Sequence, residues 1–111
     1  MATENERDGC LEITNIAADW DYTVSKPGHW PENPRLNSIE FHPGAASDRL
    51  VVKQGSDDGP VRFDSMPADS DADSRIKYFH GAKVIPYIDY DKCTFSAGHR
   101  VVIEQWGERE Y

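Results

Sequence analysis

Arg49-Leu-Val-Val-Lys-Gln54, Gly55-Ser-Asp-Asp-Gly-Pro60 and Val61-Arg-Phe-Asp-Ser65 follow one another without interruption. Leu50 and Val52 face one way, Val51 and Lys53 the other, and the connection is built from residues that favour tight turns. A two-residue period that stops at Gly, Asp and Pro and then resumes is a β-hairpin. No helix-length periodic segment occurs anywhere in the chain, so the hairpin sets the pattern for the rest.

Working outward, the same alternation recurs in short runs separated by Gly, Pro, Asn or Asp. Toward the N-terminus lie Cys10 to Ile16, Asp19 to Ser25 with Trp20, Tyr22 and Val24 on one face, and Asn37 to His42, ended by Pro43-Gly44. Toward the C-terminus lie Arg75 to His80, Lys83 to Tyr90, Cys93 to Ser96 and His99 to Trp106, the strongest of all. Pro86 places its strand at an edge or a bulge. Met66 to Ser74 reads as one helical turn or as a loop, and Pro27, Gly28, Pro31 and Pro34 make Lys26 to Arg35 a loop or an extended arm. Eight or nine short, mostly antiparallel strands in 111 residues describe an all-β single-domain β-sandwich, jelly-roll or immunoglobulin-like. The expected organisation is a flexible N-terminal arm at 1–9, the sandwich at 10–106 and a C-terminal tail at 107–111.

The formal net charge is −8, and Asp57, Asp58, Asp64, Asp69, Asp71 and Asp73 cluster around a single base, Arg62. Lys and Arg are scattered singly, which argues against nucleic acid and anionic membranes as partners. Met1 to Asp8 lacks an apolar stretch and no run approaches a membrane span, so the expectation is a soluble chain made in the cytoplasm. Cys10 and Cys93 match no CxxC spacing; they read as two buried free thiols, with a disulfide between an early and a late strand as the alternative.

Chemistry-bearing residues do not assemble into a familiar site. Asp69, Asp71 and Asp73 have the spacing that opens a calcium loop, but Ser74 stands where the turn needs Gly and His80 where a bidentate Glu belongs. His29, His42, His80 and His99 offer no local zinc spacing, even with Cys10 and Cys93 as soft partners. Ser96 lies three residues from His99 without a nucleophile elbow, and Asp89 with Asp91 reads as surface acids beside a turn. No cofactor, metal or catalytic residue is therefore expected, and the chain reads as a non-enzyme. Trp20, Trp30, Trp106, Tyr22, Tyr78, Tyr87 and Tyr90 are core or cross-strand aromatics, or else a sugar-stacking platform, with Trp30 the best candidate for exposure.

Asn37-Ser-Ile-Glu-Phe-His-Pro-Gly44, Leu50-Val-Val-Lys53, Lys77-Tyr-Phe-His-Gly81, Pro86-Tyr-Ile-Asp89 and Cys93-Thr-Phe-Ser-Ala-Gly-His99 resemble small β-rich accessory proteins of tailed-bacteriophage virions. The resemblance covers strands and turns, not a site, so it transfers no functional residue. It implies a non-enzymatic particle component: a capsid decoration, or cement, protein sitting between major capsid subunits, or a tail accessory protein, acting as a homo-oligomer with a trimer favoured. The alternatives are a tail- or fibre-associated module that binds carbohydrate or receptor, and a small hydrolase or metalloprotein. Docking is expected through Glu4 and Arg7 of the arm, Trp30, Pro31, Pro34 and Arg35 of the Pro-rich segment, and Arg109 and Tyr111 of the tail.

Overall fold

The computed structural model describes residues 2–7, 9–65 and 74–106. Among these residues, nine strands form two antiparallel sheets: β1 (Thr3–Arg7), β2 (Cys10–Thr14), β3 (Trp20–Asp21), β4 (Arg35–His42), β5 (Val51–Gln54), β6 (Val61–Asp64), β7 (Arg75–Lys83), β8 (Pro86–Ile88) and β9 (Arg100–Gln105). One sheet runs β1-β2-β9-β4-β7 and the other β3-β8-β5-β6.

The pairing is nested. β2 pairs with β9, β3 with β8, β4 with β7 and β5 with β6, so the second half of the chain folds back along the first as one long hairpin. Its tip is the 49–65 stretch. Rolling that hairpin adds the pairs β4 with β9 and β5 with β8, which divide it between two sheets. This is jelly-roll order, and it decides between the two sandwiches that the strand rhythm allows.

The tip needs its glycines. A Cβ on Gly59 would fall 1.9 Å from the Gln54 carbonyl oxygen. The Gln54 amide donates to Pro60 O and the Gly59 amide to Ser56 O, closing the turn with main-chain bonds.

Between the sheets, Trp20, Ile88, Val52 and Phe63 lie in one row across the smaller sheet. They meet Leu11 and Ile13 of β2, Val101 and Ile103 of β9, and Ile39 and Phe41 of β4; all are buried in one core cluster. Alternation carries these residues inward and Glu12, Arg100, Val102 and Glu40 outward, as the pleat requires. Burying side chains of this size contributes about 1.5–3 kcal/mol each.

Several expectations change. The N-terminal segment is not a flexible arm over its described length: Thr3–Arg7 is an edge strand registered against Cys10–Thr14. Val24 does not share a face with Trp20 and Tyr22. After Asp21 the chain turns into a short helix, α1 (Tyr22–Ser25), because the Asp21 carboxylate caps it by accepting the Thr23 amide. That turn leaves Val24 79% exposed and buries Tyr22. Pro86 sits in a strand between β3 and β5, not at an edge; as the first residue of β8, opposite Gln54, it is tolerated there. Cys93 to Ser96 contributes only a bridge from Thr94 to Arg49, preceded by a 3-10 turn at Tyr90–Lys92. The alternatives for Met66 to Asp73, and the acidic triplet within it, lie outside the described residues.

Candidate functional site

Every buried side-chain nitrogen or oxygen among the described residues has a hydrogen-bond partner. The most polar internal cluster lies where the loops after β2, β4 and β8 meet. Asp48, 1% exposed, accepts the amides of Gly44, Ala45 and Ser96 and the Ser96 hydroxyl at 2.7 Å. Burial pushes its carboxyl up, but the bonds from Ser96, Gly44 and Ala45 outweigh that and hold it below the ordinary carboxylate value.

His99 lies beside this cluster and is fully committed. Its Nε2 accepts the Ile16 amide at 3.0 Å, its Nδ1 lies 2.8 Å from the Ser96 carbonyl, and its ring stacks on Phe95 at 4.4 Å. Ser96 thus gives its hydroxyl to Asp48 and its carbonyl to His99. The trio ties three loops together, whereas a nucleophile would need the Ser96 hydroxyl aimed at the imidazole. Among the described residues, no three His, Cys, Asp or Glu side chains converge as metal ligands. Cys10 and Cys93 are half-buried and form no disulfide with each other, and burial pushes Cys93 up to about 11.

The residues expected to dock a partner separate into three groups. Trp30 is only 3% exposed and Pro34 is buried, so both are corrected from contact residues to core. The Pro-rich segment folds inward because it satisfies its own polar groups: Tyr22 OH donates to Pro31 O, Lys26 Nζ to Trp30 O, and the Val84 amide to Pro34 O. Glu4, Arg7, Pro31 and Arg35 are exposed. Glu4 nevertheless accepts the Trp20 indole N–H, and its neighbour Glu6 accepts that of Trp30, fastening β1 to the loops. Arg35 Nε donates to the Gly81 carbonyl at 2.7 Å. Arg109 and Tyr111 lie outside the described residues.

The aromatic set divides similarly. Inside the core Trp20 meets Tyr22 edge-on with centroids 6.3 Å apart, and Tyr22 meets Trp30 at a tilt with centroids 6.4 Å apart. Tyr87 is half-buried, with its hydroxyl on Asp19. Tyr78 and Trp106 remain outside, and Tyr78 stacks on His80.

The open surface with the most distinctive chemistry is one that sequence reading passed over. β6 and β7 are the outer strands of their sheets on the same side of the sandwich, and a groove of about 460 Å³ runs between them. Val61 and Ile76, 52% and 44% exposed, contribute its apolar parts. Arg62 and Lys77 lie over the Phe79 ring at 5.7 and 5.4 Å, and Lys77 Nζ donates across the gap to the Arg62 carbonyl at 3.0 Å. Arg75 also lines the groove, and the lining carboxylate, Asp64, is gripped by both Arg49 Nε and Nη2. The sequence signal is the alternation Arg75-Ile-Lys-Tyr78, two cations and two apolar side chains on opposite faces of one strand.

No family model matches the chain, and neither the curated proteins nor the solved structures give a significant match.

Proposed function

We propose that the chain is a non-enzymatic structural protein of a tailed-phage virion, made in the host cytoplasm and carried on the capsid as a decoration protein between major capsid subunits. The observation that carries this reading is the division of labour in the fold. The space between the sheets is spent on packing, and the polar internal cluster is spent on tying loops together. The longest strand among the described residues, the nine residues of β7, is meanwhile the outer strand of its sheet beside an amphipathic groove. A jelly roll of this kind serves by attachment, because an outer strand carries main-chain groups that a neighbouring polypeptide can pair. The resemblance of its strands and turns to small phage accessory proteins points the same way.

A closed homo-oligomer, a trimer, would suit a protein that bridges subunits. A second reading, a tail- or fibre-associated module that binds carbohydrate, draws on Tyr78 and Trp106, which are exposed on the larger sheet.

Density-gradient sedimentation of a native-source lysate, with peptide mass spectrometry following this chain, tests the proposal. Co-migration with megadalton particles in many copies supports it, and the copy ratio to the major subunit separates head from tail. Confinement to the light soluble fractions refutes it.

A further inference from the structure

The groove between β6 and β7 brings cationic and apolar side chains together at two strand edges. The whole chain carries −8, yet the groove sets Arg62 and Lys77 side by side, while the charge of Asp64 is already answered by Arg49. Its walls are strand edges, and each of the two strands is hydrogen-bonded to a neighbour on one side within its sheet.

The Arg62 carbonyl is the clearest mark of that edge. In β6 the register sets Val61 opposite Lys53 and Phe63 opposite Val52, and the Arg62 carbonyl takes its bond from the Lys77 ammonium across the gap. Lys77 thereby occupies an acceptor that a strand lying in the groove would otherwise meet with an amide. The Lys77 ammonium and the Arg62 guanidinium both lie over the Phe79 ring, which gathers the two cations at one place in the groove.

We propose that this groove binds an extended, acidic segment of a partner polypeptide, added edgewise so that its main chain replaces Lys77 at the Arg62 carbonyl and its carboxylates take up Lys77 and Arg62. The apolar contacts come from Val61 and Ile76, so the segment alternates acidic and apolar residues. Its footprint is short. β7 keeps regular register with β4 from Arg75 to Tyr78, and beyond Tyr78 a bulge breaks the ladder, with His80 and Gly81 both at positive φ. Four residues of strand span roughly 13 Å.

Charge decides the occupant. A two-fold pairing of β7 with its copy would set Arg75 and Lys77 against the same cations, and like charges directly opposed are destabilising. Two cations at strand edges do not make the continuous basic stripe that a phosphate backbone requires.

The inference takes its biological setting from the assembly reading, but its test uses the isolated full-length protein, so the two fail separately. The probe is a soluble fluorescein-labelled peptide, Thr-Val-Asp-Val-Glu-Val-Asp-Thr, followed by anisotropy, with a control peptide in which Lys replaces each acid. Saturable binding of the acidic peptide alone is expected. Lys77→Glu or Arg62→Glu should weaken it at least tenfold, and Lys83→Glu, beyond the bulge on the same strand, should leave it unchanged. Lys77→Met keeps an unbranched stem over Phe79, so it guards against a folding artefact and should weaken binding severalfold with an unaltered melting curve. Failure to bind, equal binding to the groove variants or equal binding of the basic peptide overturns the proposal. So does binding that appears only after Asp69, Asp71 and Asp73 are changed to Asn, which would assign the groove to this chain's own acidic segment.

Discussion

Across 83 positions of sequence, the imidazole Nε2 of His99 accepts the main-chain N–H of Ile16 at 3.0 Å. Nδ1 of the same ring faces the Ser96 carbonyl, so the ring works as a neutral tautomer with the proton on Nδ1. Replacing it with Phe would retain an aromatic beside Phe95 and strand the Ile16 amide. An unsatisfied buried donor costs about 1–3 kcal/mol, so His99→Phe is expected to lower unfolding free energy by roughly 2 kcal/mol in urea titrations. No loss would mean that the bond contributes nothing net.

Asp48 gives the fold an acid limit. Its folded pKa is depressed, so the stability that it contributes is complete above the unfolded carboxylate range and is lost as pH falls through the folded value. Asp48→Asn would turn an amide N–H toward one of its donors. The variant is expected to be about 1–3 kcal/mol less stable at neutral pH, with the difference shrinking below about pH 4. Chemical unfolding at neutral pH and in acid reads both arms.

Burial of Cys93 gives a chemical prediction. Its pKa of about 11 leaves little thiolate near neutrality. Maleimide labelling, read by peptide mass spectrometry, should modify Cys93 far more slowly in the native protein than in denaturant. Equal rates would contradict the packing of Cys93 against the β5 main chain, where it accepts the Val51 amide.

β1 should matter to stability. Deleting residues 1–7 removes a five-residue ladder and the carboxylates that receive the Trp20 and Trp30 indoles. The truncation is expected to unfold at least 2 kcal/mol more easily, at about 1 kcal/mol for each lost indole bond before the ladder is considered. A melting curve identical to that of the full chain would return this segment to the role of a free arm.

Local alternation made most of the strands legible, because a half-buried strand writes its two faces into the sequence. The 49–65 hairpin and the His99 to Trp106 strand were readable for that reason. Jelly-roll pairing was not, since β2 meeting β9 is decided by contacts about ninety positions apart. Trp30 misled because Pro-rich composition signals irregular backbone without telling whether that backbone is packed; here Tyr22 and Lys26 supply the bonds that fold it inward. The N-terminal strand was hidden by its charge: Thr-Glu-Asn-Glu-Arg has no apolar face, and its inward carboxylates are accommodated by indole N–H groups. The groove escaped notice because it belongs to two strands from different sheets.

Amide hydrogen exchange, measured on the free chain and on the chain within the heavy particle fraction, tests attachment through the β6 and β7 edges most directly. The account predicts slowed exchange concentrated at residues 61–65 and 75–78 in the assembled form, with the interior strands unchanged. Equal exchange at those edges in the two states, or protection confined to another face, would contradict it.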